Sequence, residues 1–333
     1  MNFTHFPKIE LHLHLDCSLS YKVVQQLDPS ISPETYQESF IAPPKCIDLA
    51  DYIRRAIKGV ELMQTEQQLR LVTLDLFEQL QADHVIYAEI RFAPLQHLKQ
   101  GLNPRQVVQI VNDAVEQGIR ATGIEAGIIL CTLRHYSQQQ SLETVHLVEE
   151  FKGSRVVGFD IAADEAGFPI GAHIAAFDYA KEKGIACTAH AGEAKGAESV
   201  WETLHHFHPS RIGHGVRSAE NPALLEFLKH KGIHLEVCPT SNIQTNVYPS
   251  ITSHTVDTLY KTGISLSINT DARTISDTTL AQEYELLHKI FSWQESHFLQ
   301  CNLYAIEAAF TTEAVKSRLR EKMYAGILSA KQQ

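Results

Sequence analysis

Long apolar runs are missing. No stretch of ~18 apolar residues, the length a membrane-spanning helix needs, occurs in the 333 residues, so a membrane protein of that kind is excluded. Paired cysteines are missing too. The six cysteines (Cys17, Cys46, Cys131, Cys187, Cys238, Cys301) are scattered and form no CxxC, so free thiols in a reducing cytoplasm are expected rather than disulfides. The opening stretch MNFTHFPKIELHLHLD has no charged segment leading into an apolar core, so no secretory leader is expected. Basic residues are in the minority, 29 Lys and Arg against 39 Asp and Glu, for a formal charge of -10. Without a dense basic run such a chain repels a phosphate backbone. No nucleic-acid or membrane partner is expected, and a small neutral or cationic substrate fits better. Phosphate-cradling loops of the GxGxxG or GxxxxGKS type are also absent. So are tandem repeats and low-complexity linkers. Asp28 to Pro44, richest in Pro and Ser, reads as loop or short helix. One domain spanning 1–333 is therefore expected.

What is present is an ordinary globular composition, 44% hydrophobic and 20% charged, which excludes a disordered chain. Eight short apolar runs recur: Ile9–Leu15, Val85–Phe92, Ile124–Thr132, Val156–Ala162, Ile185–Ala191, Arg211–His214, Ile233–Cys238 and Ile264–Asp271. Most are rich in β-branched residues and lack alternation, as parallel strands buried on both faces do. Helical patterns separate them. Leu69, Val72, Leu76 and Leu80 step by three and four, and Asn221-Pro222 opens a segment that Gly232 stops. Eight such units predict an α/β fold, a (β/α)8 barrel, with a doubly wound open sheet as the alternative. The gap from Leu15 to Val85 is too long for one crossover. It predicts a helical insertion after strand 1, on the catalytic face, where Ala50, Ile53, Ile57 and Val60 mark one amphipathic helix and a lid over the site, or simple packing on the exterior.

Histidine is the oddity, with 18 copies. His12 and His14 alternate on the first strand and so share a face, which in a barrel is the interior. Two inward imidazoles are expensive unless they bind something. His190 and Glu193 (HAGE) follow strand 5, His214 (RIGHG) ends strand 6 and Asp271 (SINTD) ends strand 8. Singly, each has an ordinary reading as a satisfied histidine or a helix cap. Together they fall where barrel active sites are built. Three imidazoles and a carboxylate suit Zn2+, which makes hydroxide available near neutral pH. No lysine follows strand 4, although Asp160 within it and Asp164 after it are present, so a second metal is not expected. HxxE at 190–193 without PCxxC sets the chain apart from the other zinc deaminase design. His205, His206 and His208 read as a solvated helix end.

The blocks PKIELHLHLD, VIYAEIRFAP, VVGFDIAADE, HAGE, RIGHGV, EVCPTSN and SINTD, from Pro7 to about Phe310, resemble in order the adenosine deaminase family of zinc amidohydrolases, and after SINTD its bacterial members. The resemblance implies one Zn2+ per chain held by His12, His14, His190 and Asp271. It implies that Glu193 protonates purine nitrogen 1, that His214 orients the attacking hydroxide, and that Asp271 accepts the proton of the attacking water. His14, Asp16, Ala163 and Ala272 fall on substrate-contacting positions. Asp16 matches the acidic residue that binds a ribose hydroxyl, where adenine-specific relatives carry Glu and N6-methyl-AMP relatives carry Asn. The implied reaction is deamination of adenosine or 2′-deoxyadenosine, in purine salvage, with a small purine nucleoside as the only partner and the oligomeric state left open. Alternatives are adenine, methylthioadenosine, aminodeoxyfutalosine or N6-methyl-AMP as substrate, and, more distantly, a non-catalytic purine-binding barrel. Three positions depart from the family pattern. Cys17 and Ala163 replace glycines, and Ala272 replaces an Asp that donates to purine nitrogen 7, a loss for which a water or Arg273 could compensate. Cys238, Ser241 and Asn242 are expected to serve packing and loop geometry, and Leu49, Ile53 and Ile57 to serve the core, with an apolar wall over the base as the alternative.

Overall fold

The computed structural model describes residues 3–330. Eight strands run parallel: β1 (Lys8–His14), β2 (Val85–Phe92), β3 (Glu125–Leu133), β4 (Val156–Ala162), β5 (Thr188–Ala191), β6 (Arg211–His214), β7 (His234–Val237) and β8 (Leu266–Ile268). They form two four-stranded sheets, β1-β2-β3-β4 and β5-β6-β7-β8. Both seams are bridged, β4 to β5 through Phe159 and Cys187, and β1 to the chain after β8 through Leu13 and Asp271. The sequential order and the bridged seams give the expected α/β barrel arrangement. Single bridges rather than full ladders join its two halves.

The second half has the shorter strands. The run Ile264–Asp271 pairs as β8 from Leu266 to Ile268, and Asn269 follows it, its backbone N still bonded to Val237 O (2.9 Å) and its side chain reaching across the seam. Asn269 Oδ1 accepts from Leu11 N (2.8 Å) and His12 N (3.1 Å), and its Nδ2 donates to Val237 and Ser267 oxygens (3.3 Å each). One amide thus replaces the missing rungs of the seam.

The insertion holds five helices: α1 (Tyr21–Leu27), α2 (Pro33–Ser39), α3 (Leu49–Ile53), α4 (Ala56–Glu61) and α5 (Glu66–Ala82). The single helix expected around Ala50 to Val60 is two short ones, because Arg55 N and Ile57 N bond three residues back and tighten the turn between them. Between strands lie α6 (Pro104–Thr122), α7 (Gln138–Glu150), α8 (Ile174–Glu182), α9 (Ala197–Phe207) and α10 (Pro222–Lys231), and then α11 (Pro239–Gln244) and α12 (Val256–Lys261). Helices α13 (Leu280–Phe291), α14 (Glu295–Ala308) and α15 (Glu313–Ala330) follow β8. Asn103 and Asn221 cap α6 and α10, with Pro at the first position and a left-handed Gly123 or Gly232 at the end, as the residue types dictate.

The barrel interior is charged, not oily. Arg91 joins Asp160 (2.8 Å) to Glu236 (2.7 Å), and Arg211 joins Glu89 (2.5 Å) to Glu236 (2.7 Å), all fully buried. Each ion there has an ion-pair partner of opposite sign, which is what makes its burial tolerable. This network is the floor of the site.

Candidate active site

His12 and His14 project from the end of β1. His12 Nδ1 bonds Glu236 Oε2 at 2.8 Å. His190, in β5, places its Nδ1 3.1 Å from Asp160 Oδ2. Carboxylates accept, so both Nδ1 atoms carry hydrogen, and His190 Nε2 is then a bare lone pair. Burial works to lower the His12 pKa, but Asp271 and Glu236 pull it up, so His12 Nε2 presents its lone pair when a cation takes the place of the proton it shares with Asp271. The Nε2 atoms converge: His14 Nε2 lies 3.2 Å from His190 Nε2, and Asp271 Oδ1 lies 3.3 Å from His12 Nε2 and 3.4 Å from His14 Nε2. His12 Nε2 is buried without a hydrogen-bond partner. Electron pairs of one sign gathered in a buried space call for a cation, and the imidazole–carboxylate set suits zinc. Among the described residues, His12, His190, His214 and Asp271 place donor atoms within 4.8 Å of one another. That group holds His214 and leaves out His14, an expected ligand, whose Nε2 still lies 3.2 Å from His190 Nε2 and 3.4 Å from Asp271 Oδ1.

Asp271 sits at φ +65° just past β8, fixed by its own backbone bonds to His12 O (3.0 Å) and from His14 N (2.8 Å). Ser241 Oγ donates to its Oδ2 at 2.6 Å. Burial works to raise the Asp271 carboxyl, but the His12 bond and the surrounding imidazoles hold it well below the usual carboxylate range. Glu193 goes the other way. Burial, then the negative charges of Asp271 and Glu165, push it well above the usual range, which favours the protonated acid. Its Oε2 is 3.5 Å from His214 Nε2 and its Oε1 is buried with no partner. Burial pushes the imidazoles of His14 and His214 well below their ordinary value, so both are neutral.

These groups line a cavity of about 480 Å³. Asp16, Cys17, Ala163 and Ala272 line it as well, so every residue expected at the site lies within it or directly beneath it. Burial pushes the Asp16 carboxyl up to about 6. Ala163 holds φ +79°, a left-handed conformation that explains why glycine is the easier residue there. Ala272 packs with Leu49, Tyr52 and Ile275 into an apolar wall.

Three expectations are corrected. Leu49 is buried with Ile53 packed against it, as core packing requires, but Leu49, Ile53 and Ile57 all line the cavity and Ile57 is 53% exposed rather than core. Ser241 and Asn242 are more than loop packing, since Ser241 holds Asp271 and Asn242 Nδ2 bonds His214 Nδ1 at 3.1 Å. Arg273 does not face the purine pocket. It is buried against Glu10 (2.6 Å) and Asp83 (2.9 Å). Asp160 already serves Arg91 and His190. Sequence reasoning passed over Glu236, Asp160 and Glu165 as supports. The available signal was a carboxylate inside an otherwise apolar strand, or, for Glu165, one just after β4.

A barrel that gathers imidazoles and carboxylates at the C-terminal ends of its strands has the build of an amidohydrolase-type enzyme. Comparison narrows the class. The adenosine deaminase family matches residues 7–326. An adenosine deaminase of Clostridium acetobutylicum is 33% identical over 326 residues, covering 96% of this chain and 97% of that protein. The chain belongs to the adenosine deaminase family. In fold it is similar to an adenine deaminase from Arthrobacter aurescens (TM-score 0.88, 24% identity, 96% of this chain and 99% of that one). It is also similar to an amidohydrolase from Burkholderia ambifaria with bound zinc (TM-score 0.89, 21% identity, 99% and 93%). No described helix is long and apolar enough to cross a membrane.

Proposed function

We propose that the chain hydrolyses adenosine and 2′-deoxyadenosine to inosine and 2′-deoxyinosine, releasing ammonia, with one Zn2+ per chain held by His12, His14, His190 and Asp271. The observation that carries this is the pairing of opposite carboxyls. Glu193, with a carboxyl whose pKa burial raises and a buried, unpartnered Oε1, shares one cavity with Asp271, whose carboxyl is lowered and lies beside the unpartnered Nε2 of His12. When bound, zinc supplies Lewis acidity that lowers the pKa of water to ~7. Glu193 donates its proton to purine nitrogen 1, which leaves carbon 6 open to attack. His214 orients the attacking oxygen. Asp271, ionised, takes up the proton released from the water. The exocyclic nitrogen, once protonated, leaves as ammonia. Asp16 accepts from a ribose hydroxyl, and the Ala163 N–H faces purine nitrogen 3. The six free thiols fit a cytoplasmic enzyme.

A second reading keeps the chemistry and changes the purine. Ala272 offers no donor to nitrogen 7, a loss of about 1–3 kcal/mol, and Arg273 is committed elsewhere. The test is formation of the 6-oxo purine by the zinc-loaded protein, with and without chelator, its amine read as ammonia from adenosine, 2′-deoxyadenosine, adenine, methylthioadenosine and aminodeoxyfutalosine and as methylamine from N6-methyl-AMP. Adenosine leading, with loss on chelation, supports the first reading. Another purine leading supports the second, and no 6-oxo purine from any of them overturns both.

A further inference from the structure

His12, His190 and His214 crowd one point, yet their far nitrogens meet different partners. Two face carboxylates, Glu236 and Asp160. The third faces the amide of Asn242, and the direction of that bond is set two residues further back. Val256 N–H donates to His254 Nδ1 at 3.0 Å. A backbone N–H can only donate, so Nδ1 of His254 is an acceptor and its hydrogen is on Nε2. That Nε2 lies 3.1 Å from Asn242 Oδ1, which accepts. The amide is thereby oriented, and its Nδ2 donates to His214 Nδ1 at 3.1 Å. With Nδ1 accepting, the hydrogen of neutral His214 is on Nε2, the atom facing Glu193 and the cavity. Turning the Asn242 amide over would set its NH2 against the His254 N–H, two donors face to face. His254, Asn242 and His214 are all at most 3% exposed, so no solvent relieves such a clash.

We infer that Asn242 and His254 are positioning residues whose one-way hydrogen-bond chain fixes His214 as the Nε2–H tautomer. The chain sorts three similar imidazoles into two jobs. A carboxylate behind Nδ1 leaves the cavity-facing nitrogen of His12 and His190 as a lone pair for a metal. An amide N–H behind Nδ1 makes the same nitrogen of His214 a hydrogen-bond donor, unable to ligate, although it stands within the same donor group. The catalytic use of that donor rests on the function proposed above; the tautomer does not.

The test begins with the unmodified zinc-loaded protein, labelled with ¹⁵N-histidine and examined by NMR, His214 being assigned by its loss in His214→Ala. The expected spectrum shows hydrogen on Nε2 and a bare Nδ1; hydrogen on Nδ1 overturns the inference. Asn242→Leu keeps the volume and removes the donor. It is expected to release the tautomer and lower kcat at least about tenfold, with KM within about twofold. His254→Phe should act alike, and His254→Gln, whose amide N–H can take the place of Nε2–H, should restore much of the rate. An unchanged tautomer in Asn242→Leu also overturns the inference. Wild-type turnover by His214→Ala would instead remove the catalytic role of His214 and leave the tautomer standing.

Discussion

At the residue scale, the site works by driving two carboxyls apart. Glu193 and Asp271 share a cavity, but only Asp271 has imidazoles and the Ser241 hydroxyl directed at it. Glu193 lacks such compensation, so burial keeps its proton. Glu193→Gln removes the transferable proton while preserving shape. It is expected to retain metal, measured by elemental analysis, and to lose ~10²–10⁴-fold in kcat. Near-wild-type turnover would remove its role as acid. Asp16 is the second test at this scale. If it binds a ribose hydroxyl, Asp16→Ala raises KM for adenosine and leaves adenine, which has no ribose, unaffected. Equal losses on both would take Asp16 out of sugar recognition.

At the element scale, two loops depend on single polar side chains. The 192–195 loop that carries Glu193 wraps the buried Glu165 carboxylate, which accepts from Gly192 N (2.8 Å), Glu193 N (3.0 Å), Ala194 N (2.6 Å), Lys195 N (2.9 Å) and Ser199 Oγ (2.5 Å). Consecutive N–H groups make an anion-binding concavity, filled here from within the chain. Glu165→Gln turns an amide NH2 toward those donors. A loss of about 3 kcal/mol is expected, read as a lower denaturant midpoint, together with a lower kcat as Glu193 loses its aim. A midpoint within error of wild type would show that the loop holds itself. At the β1–β8 seam, Asn269→Ala strands the N–H groups of Leu11 and His12, a cost of about 1–3 kcal/mol each. Since His12 sits on that seam, weaker metal retention should accompany the loss, measured by competition with a chelator. Unchanged stability would mean that the seam is held by Leu13 and Asp271 alone.

At the scale of the whole molecule, the charged interior makes stability depend on pH. Burial holds His97 down to about 4, and His234 and His254 to about 3, each without a compensating charge strong enough to restore it. The unfolded chain binds these protons near pH 6.5, the folded chain only far lower. Between those limits the unfolded state carries more protons, so stability falls as pH falls. Arg91 and Arg211, working against burial, hold Glu236 well below the carboxylate range and add a further loss below about pH 4. The thermal midpoint is therefore expected to drop steadily from pH 7 to pH 4, and a flat profile would contradict the buried-neutral assignment. The parallel strands, the long insertion after β1 and the six residues His12, His14, His190, Glu193, His214 and Asp271 were legible in the sequence, because apolar periodicity and residue chemistry are local properties. What was not legible depends on who meets whom across the barrel. Helices α3 and α4 were read as one, because side-chain spacing does not register the tightened backbone between them. That Arg273 is not available to offset Ala272 was hidden, because its partners Glu10 and Asp83 lie 263 and 190 positions away. Ser241 and Asn242 looked like loop residues until folding set them behind Asp271 and His214. The sequence by itself determined which groups could do the chemistry, since each side chain carries its donors and charges wherever it goes. Only the tertiary structure decided which nitrogen of each histidine faces the cavity bare, because hydrogen-bond direction is settled by the partner behind the ring.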